Sequence, residues 1–175
     1  MHSKPRSLMA RILPAALVLA AALAIPLTAS AQSGMIPNQS GTACVPNRGD
    51  TSKLNYSSQW GIYNDSTSSS GKVYCPVVYN QDQFQGALNG NIEFFVYDQN
   101  AGSGKDVVCI LYSLNRDGSI GSSEKQQTTG SLPTEQLLSF YFGNVGGIYN
   151  AQCTLPAMSN GKQSRVTTYG AEFTD

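Results

Sequence analysis

Two nearly continuous apolar stretches stand near the middle of the chain. Ile92-Glu93-Phe94-Phe95-Val96-Tyr97 and Val107-Val108-Cys109-Ile110-Leu111-Tyr112 flank a polar loop, residues 98–106. Side chains alternate across a strand, so Ile92, Phe94 and Val96 share one face, and Glu93, Phe95 and Tyr97 share the other. In the second run Val107, Cys109 and Leu111 oppose Val108, Ile110 and Tyr112. The pattern predicts a β-hairpin. Both faces are largely apolar, which a sheet with one solvated face does not require. The outer face therefore needs a cover: another part of the chain, another copy of it, or a ligand.

Elsewhere short apolar runs are broken by Gly, Asn, Asp and Ser, without a sustained 3.6-residue period. Strands are predicted at residues 60–63, 72–79, 119–127, 137–142, 148–155 and 165–173, with an Asp-Gly turn at Asn115-Arg116-Asp117-Gly118. Pro76 removes a ladder donor and marks an edge or a strand entry. Only residues 133–138 carry any helical character. Seven to nine strands at intervals of roughly 10 to 20 residues predict an all-β fold: a single antiparallel β-sandwich, jelly-roll or Ig-like.

The amino terminus has a different pattern. Lys4, Arg6 and Arg11 precede an apolar run over residues 12–27, and Ala29-Ser30-Ala31 supplies small residues before Gln32. These are the parts of a secretory signal peptide cleaved after Ala31. The apolar run has two prolines and falls short of the ~20 residues that a spanning helix needs. The expected organisation is a signal peptide at 1–31, an extended polar arm at 32–53 and a sandwich domain at 54–175, secreted to the periplasm or the exterior.

Removing residues 1–31 leaves eight basic and eleven acidic side chains and no histidine, since the sole His is His2. A weakly acidic chain without a basic run gives no electrostatic reason to expect nucleic acid. Without histidine there is no Ser-His-Asp or Cys-His pair and no histidine-based metal site. The glutamates Glu93, Glu124, Glu135 and Glu172 fall on separate predicted segments, so no same-strand carboxylate pair appears. No enzyme activity and no cofactor are expected.

Cys44, Cys75, Cys109 and Cys153 are widely spaced, which in an oxidising compartment reads as two disulfides rather than a metal cluster. Three pairings are open. Cys44 with Cys75 and Cys109 with Cys153 is favoured, because nearby partners are a reasonable default.

Several short segments occur in an order that resembles a group of small secreted bacterial proteins. They are Gly61-Ile62-Tyr63-Asn64, Val73-Tyr74-Cys75-Pro76, Val96-Tyr97-Asp98 leading to Val108-Cys109, Tyr149 to Cys153-Thr154-Leu155-Pro156, and Tyr169 with Glu172. The resemblance runs from Cys44 to Glu172. It implies a bacterial source and a two-disulfide β-sandwich, and it carries no assigned activity and no catalytic residues.

Phe95, Tyr97 and Tyr112 are the candidate binding residues: flat aromatic surfaces stack on sugar rings, while Glu93 can hydrogen-bond hydroxyls. Trp60, the only tryptophan, is expected as a core anchor, with a place on this aromatic face as the alternative. The resulting expectation is a secreted non-catalytic module that binds polysaccharide through this face. The alternative is a structural, self-assembling surface protein that uses the same face as a subunit contact; simple coverage by the 32–53 arm is a third outcome.

Weaker motifs are read structurally. Asp98, Asn100, Gly102 and Asp106 offer spaced oxygens to calcium, but they are also turn formers and lack the EF-hand glutamate, so no metal is assigned. Arg48-Gly49-Asp50 is read as a glycine turn. Asn38-Gln39-Ser40, Asn55-Tyr56-Ser57 and Asn64-Asp65-Ser66 match the glycosylation sequon.

Overall fold

The computed structural model describes residues 39–77, 89–99, 105–130, 134–142 and 148–174. The expected signal peptide, Asn38, the Asn100 and Gly102 positions of the 98–106 loop, and the end of the 72–79 strand lie outside these residues.

The strands are β1 (Gln39–Ser40), β2 (Val45–Pro46), β3 (Leu54–Ser57), β4 (Gly61–Asn64), β5 (Gly71–Val77), β6 (Asn89–Asp98), β7 (Val108–Leu114), β8 (Ile120–Gln127), β9 (Glu135–Phe142), β10 (Ile148–Leu155) and β11 (Ser164–Thr174). They form two antiparallel sheets. One runs β3-β4-β11-β6-β9, with β1 also paired to β11, and the other runs β2-β5-β10-β7-β8. The eight strands from β4 to β11 thus divide into β4-β11-β6-β9 and β5-β10-β7-β8, the interleaving of a jelly roll rather than of an immunoglobulin fold. The weak helical expectation at 133–138 fails where it is described: Glu135 opens β9.

The central hairpin does not form. β6 pairs with β11 and β9, whereas β7 pairs with β10 and β8 in the other sheet. Nine residues is long for a hairpin loop, and the strands on either side of it belong to different sheets. Asp98, fully buried, fastens the crossing: its carboxylate accepts from the Val107 amide (3.1 Å), the Thr128 hydroxyl (2.6 Å) and the Ser164 hydroxyl (2.8 Å). That carboxylate is committed to the fold.

The alternation itself holds. Ile92, Phe94 and Val96 point inward with Leu138, Phe140 and Phe142 of β9. Against them pack Val73 and Cys75, Cys109 and Leu111, and Ala151, Cys153 and Leu155 from the second sheet. Phe94 stacks on Tyr169 at 5.2 Å and meets Phe140 edge-on at 5.9 Å. The Tyr169 hydroxyl donates across the sandwich to the Pro76 carbonyl at 3.1 Å, and burial pushes its pKa up to about 12. Pro76 lies beyond the reach of the two-residue β2, which pairs only with Tyr74 and Val73. The lost donor is tolerated at such an edge.

Both disulfides are present in the favoured pairing, Cys44–Cys75 and Cys109–Cys153, and all four residues are buried. Cys109 and Cys153 are opposed residues of β7 and β10. Cys44 fixes the amino-terminal segment to β5, between β1 on one sheet and β2 on the other. The two glycines Gly41 and Gly61 make this packing possible, since a Cβ at either would stand 2.0 Å from the Val166 carbonyl oxygen.

Candidate functional site

The outer face of the six-stranded sheet carries three of the four expected site residues. Glu93, Phe95 and Tyr97 alternate outward along β6 and are half-buried. Strand register then sets their neighbours. Tyr97 lies between Arg165 of β11 and Glu135 of β9, and Arg165 in turn opposes Tyr63, which opposes Asn55. One row therefore reads Asn55, Tyr63, Arg165, Tyr97, Glu135 across five strands. The next reads Thr168, Phe95, Leu137, followed by Gly170, Glu93, Ser139 and then Glu172, Asn91, Tyr141. A bulge between Val166 and Thr168 turns both Thr167 and Thr168 away from the core. The Thr167 hydroxyl lies 2.9 Å from the Phe95 carbonyl oxygen and also reaches the Glu135 carboxylate.

Arg165 is held between two rings, 4.3 Å from the Trp60 centroid and 4.1 Å from the Tyr97 centroid. Each contact is a cation–π interaction of roughly 0.5 to 2 kcal/mol. Burial pulls the guanidinium pKa down, and Tyr97 and Glu135 pull it back; it remains a cation. Trp60 is not the core anchor expected of it. It ends the β3–β4 turn, donating its amide to the Ser57 carbonyl, and its side chain is 49% exposed. Gly61 follows with φ 75°, so the chain re-enters the sheet only after the indole has been left outside. Ser57, Trp60, Tyr63, Gln163 and Arg165 line an open pocket of about 170 Å³. That is below the ~300 Å³ of typical ligand pockets, enough to seat part of a ligand whose remainder lies on the open face.

Further along, Glu93 and Glu172 are diagonal neighbours on β6 and β11. Burial, and then the charge of Glu172, push the Glu93 pKa up. At the sheet edge Leu137 and Tyr141 are 50% and 61% exposed. Tyr112, by contrast, projects from β7 on the outer face of the other sheet, paired with Asn150 and Ser123, so it does not join Phe95 and Tyr97. It was grouped with them only through the hairpin that does not form.

Asp50 and Asn64, from two of the minor motifs, are taken up by the fold, whereas Asn55 stays exposed. Asp50 is 9% exposed and accepts from Lys53 Nζ (2.6 Å) and the Lys72 amide (3.0 Å), which holds its carboxylate below the ordinary range. Asn64 is fully buried, with Nδ2 3.0 Å from the Ser69, Leu155 and Pro156 carbonyls, and so is closed to glycosylation. Among the described residues no group of three or more His, Cys, Asp or Glu is placed to hold a metal ion.

No protein-family model and no curated protein matches the sequence. Solved structures match in fold. The xylan-binding module CBM15 aligns with 82% of this chain and 99% of its own at TM-score 0.50 and 12% identity. A Clostridium thermocellum endo-1,4-beta-D-xylanase 10B, comprising CBM22-1 and GH10 modules with xylohexaose, aligns with 82% of this chain at TM-score 0.52 and 11% identity; only 29% of that longer chain is covered. The chain thus has the β-sandwich fold found among carbohydrate-binding modules.

Proposed function

We propose that the protein is an exported, non-catalytic module that holds a polysaccharide chain against the outer face of its six-stranded sheet. The carrying observation is the face itself. Trp60, Tyr97, Phe95, Leu137 and Tyr141 supply apolar surface along it, interleaved with Arg165, Glu93, Glu135 and Asn91 as hydrogen-bonding groups. From the Tyr97 row to the Tyr141 row is six residues of β9, or about 20 Å, which suits an extended ligand. The matched structures support this reading, since both are named for xylan or a xylan-derived ligand. The two buried disulfides support export, because such bonds persist in oxidising compartments.

The test is affinity electrophoresis through gels containing xylan, β-glucan, mannan or starch. The protein should be retarded by at least one polymer, and Phe95→Ala/Tyr97→Ala should abolish the retardation while the variant still melts cooperatively. No retardation in any gel would refute the reading; release of reducing sugar from a retained polymer would overturn its non-catalytic part.

A second reading, self-association, is favoured by a different surface. Ile148 (55% exposed), Leu114 and Ile120 (61% exposed) form one row on the outer face of the five-stranded sheet, next to Tyr112. Light scattering over a range of concentrations tests it: a mass that stays monomeric rules it out.

A further inference from the structure

The pocket at the Trp60 end of the face differs in charge from the rest of it. Among the described residues its lining contains one charged group, the Arg165 guanidinium, with Ser57, Tyr63 and Gln163 beside it and one indole wall. Every polar side chain there can donate a hydrogen bond. Among the described residues the guanidinium forms no ion pair, and its Nε is buried without a hydrogen-bond partner. With rings on two sides, the terminal nitrogens are what Arg165 has left to offer a ligand.

Along β6 the sign reverses. Glu93 stands four residues from Tyr97, about 13 Å at the strand rise, with Glu172 as its diagonal neighbour. That distance exceeds the ~8 Å Debye length at physiological salt, so the two ends of the face act separately on a ligand. Glu135 lies in the Arg165 row on the far side of Tyr97, roughly 10 Å across two strand spacings, and is engaged by Thr167. A polyanion charged on every sugar would meet Glu93 and Glu172 while it met Arg165. A wholly neutral chain would gain nothing from the Arg165 charge. A chain uncharged except at isolated acidic sugars satisfies both ends.

Resting on the polysaccharide reading above, we propose that the pocket takes the carboxylate of a uronic acid carried singly on an otherwise uncharged polysaccharide, with Arg165 as the residue that selects it. The carboxylate then meets the edge of the guanidinium left open between the Trp60 and Tyr97 rings, and the backbone of the polymer continues over Phe95 and Leu137 toward Tyr141.

The test is calorimetric titration of the protein with three polymers: a xylan bearing glucuronic acid, the same xylan after its carboxyls are reduced to primary alcohols, and polygalacturonate. Losing one charge-assisted contact should weaken binding about ten- to a hundredfold on reduction, and polygalacturonate should bind more weakly than the native xylan. Arg165→Gln should bind native and reduced xylan alike. Equal affinity of the unaltered protein for native and reduced xylan overturns the selection by Arg165 and leaves the polysaccharide reading standing. Tightest binding to polygalacturonate overturns it too. Absence of binding to all three overturns the proposal, while the broader reading falls only with the wider gel panel. The reduced polymer keeps the comparison valid even if Arg165→Gln folds poorly.

Discussion

Asp98 on β6 accepts a 2.6 Å hydrogen bond from Thr128, a residue that follows β8 in the opposite sheet. Both side chains are buried, and the same carboxylate reaches Val107 and Ser164. Asp98→Ala would remove an acceptor from the Thr128 and Ser164 hydroxyls and one of the two that the Val107 amide has, and an unsatisfied buried group costs about 1 to 3 kcal/mol. The expected loss is about 3 kcal/mol in urea unfolding, with a smaller loss for Thr128→Val. Equal stability of Asp98→Ala and the parent would contradict the cross-sheet clasp.

The disulfides close loops of 31 and 44 residues by sequence separation. On the chain-entropy estimate each stabilises by on the order of 4 kcal/mol, mainly through the unfolded state. Replacing either pair by alanine should therefore lower the unfolding midpoint substantially, and thiol titration should find no free cysteine in the native or the denatured protein until a reductant is added. Thiol labelling of the unreduced protein, with or without denaturant, would argue against the pairing.

Two carboxylates bias stability toward opposite ends of the pH scale. The Glu93 pKa is raised above its ordinary 4.5 in the folded state, so its contribution is full below that value and is lost as pH rises through the folded pKa. Glu93→Gln should consequently be at least as stable as the parent at pH 7. The Asp50 pKa is lowered below 3.8, so its contribution is present above that value and is lost as pH falls through the folded pKa. Asp50→Asn should destabilise at pH 7, with a penalty that shrinks toward pH 3. Thermal melts of the two variants across pH 3 to 7 check both signs, and parallel curves for parent and variants would contradict the assignment.

What the sequence disclosed follows from what alternation encodes. Period-two patterning identified which side chains of β6 face the core and which face outward, and the facing sets hold for Phe94 and Phe95 alike. Alternation says nothing about which strand lies alongside. The adjacency of the 92–97 and 107–112 runs thus gave a hairpin where a crossing exists, and Tyr112 went with it. Spacing favoured the correct cysteine partners. Trp60 was misjudged because bulk alone argues for burial, whereas the turn before Gly61 sets its exposure. Arg165 had no local signal: only strand register brings it between Trp60 and Tyr97. Leu137 and Tyr141 were legible in principle, since Leu137-Leu138 and Phe140-Tyr141-Phe142 place apolar residues on both faces of β9.

Trp60 is the sole tryptophan in the chain and lines the pocket at one end of the proposed binding face. Its fluorescence is therefore the most direct reporter of occupancy. Titration with a polysaccharide that retards the protein in gels should give a saturable change in emission, and the change should vanish in Phe95→Ala/Tyr97→Ala. A retained polymer that leaves the emission of Trp60 unaltered would show that binding occurs elsewhere on the molecule and would contradict the site described.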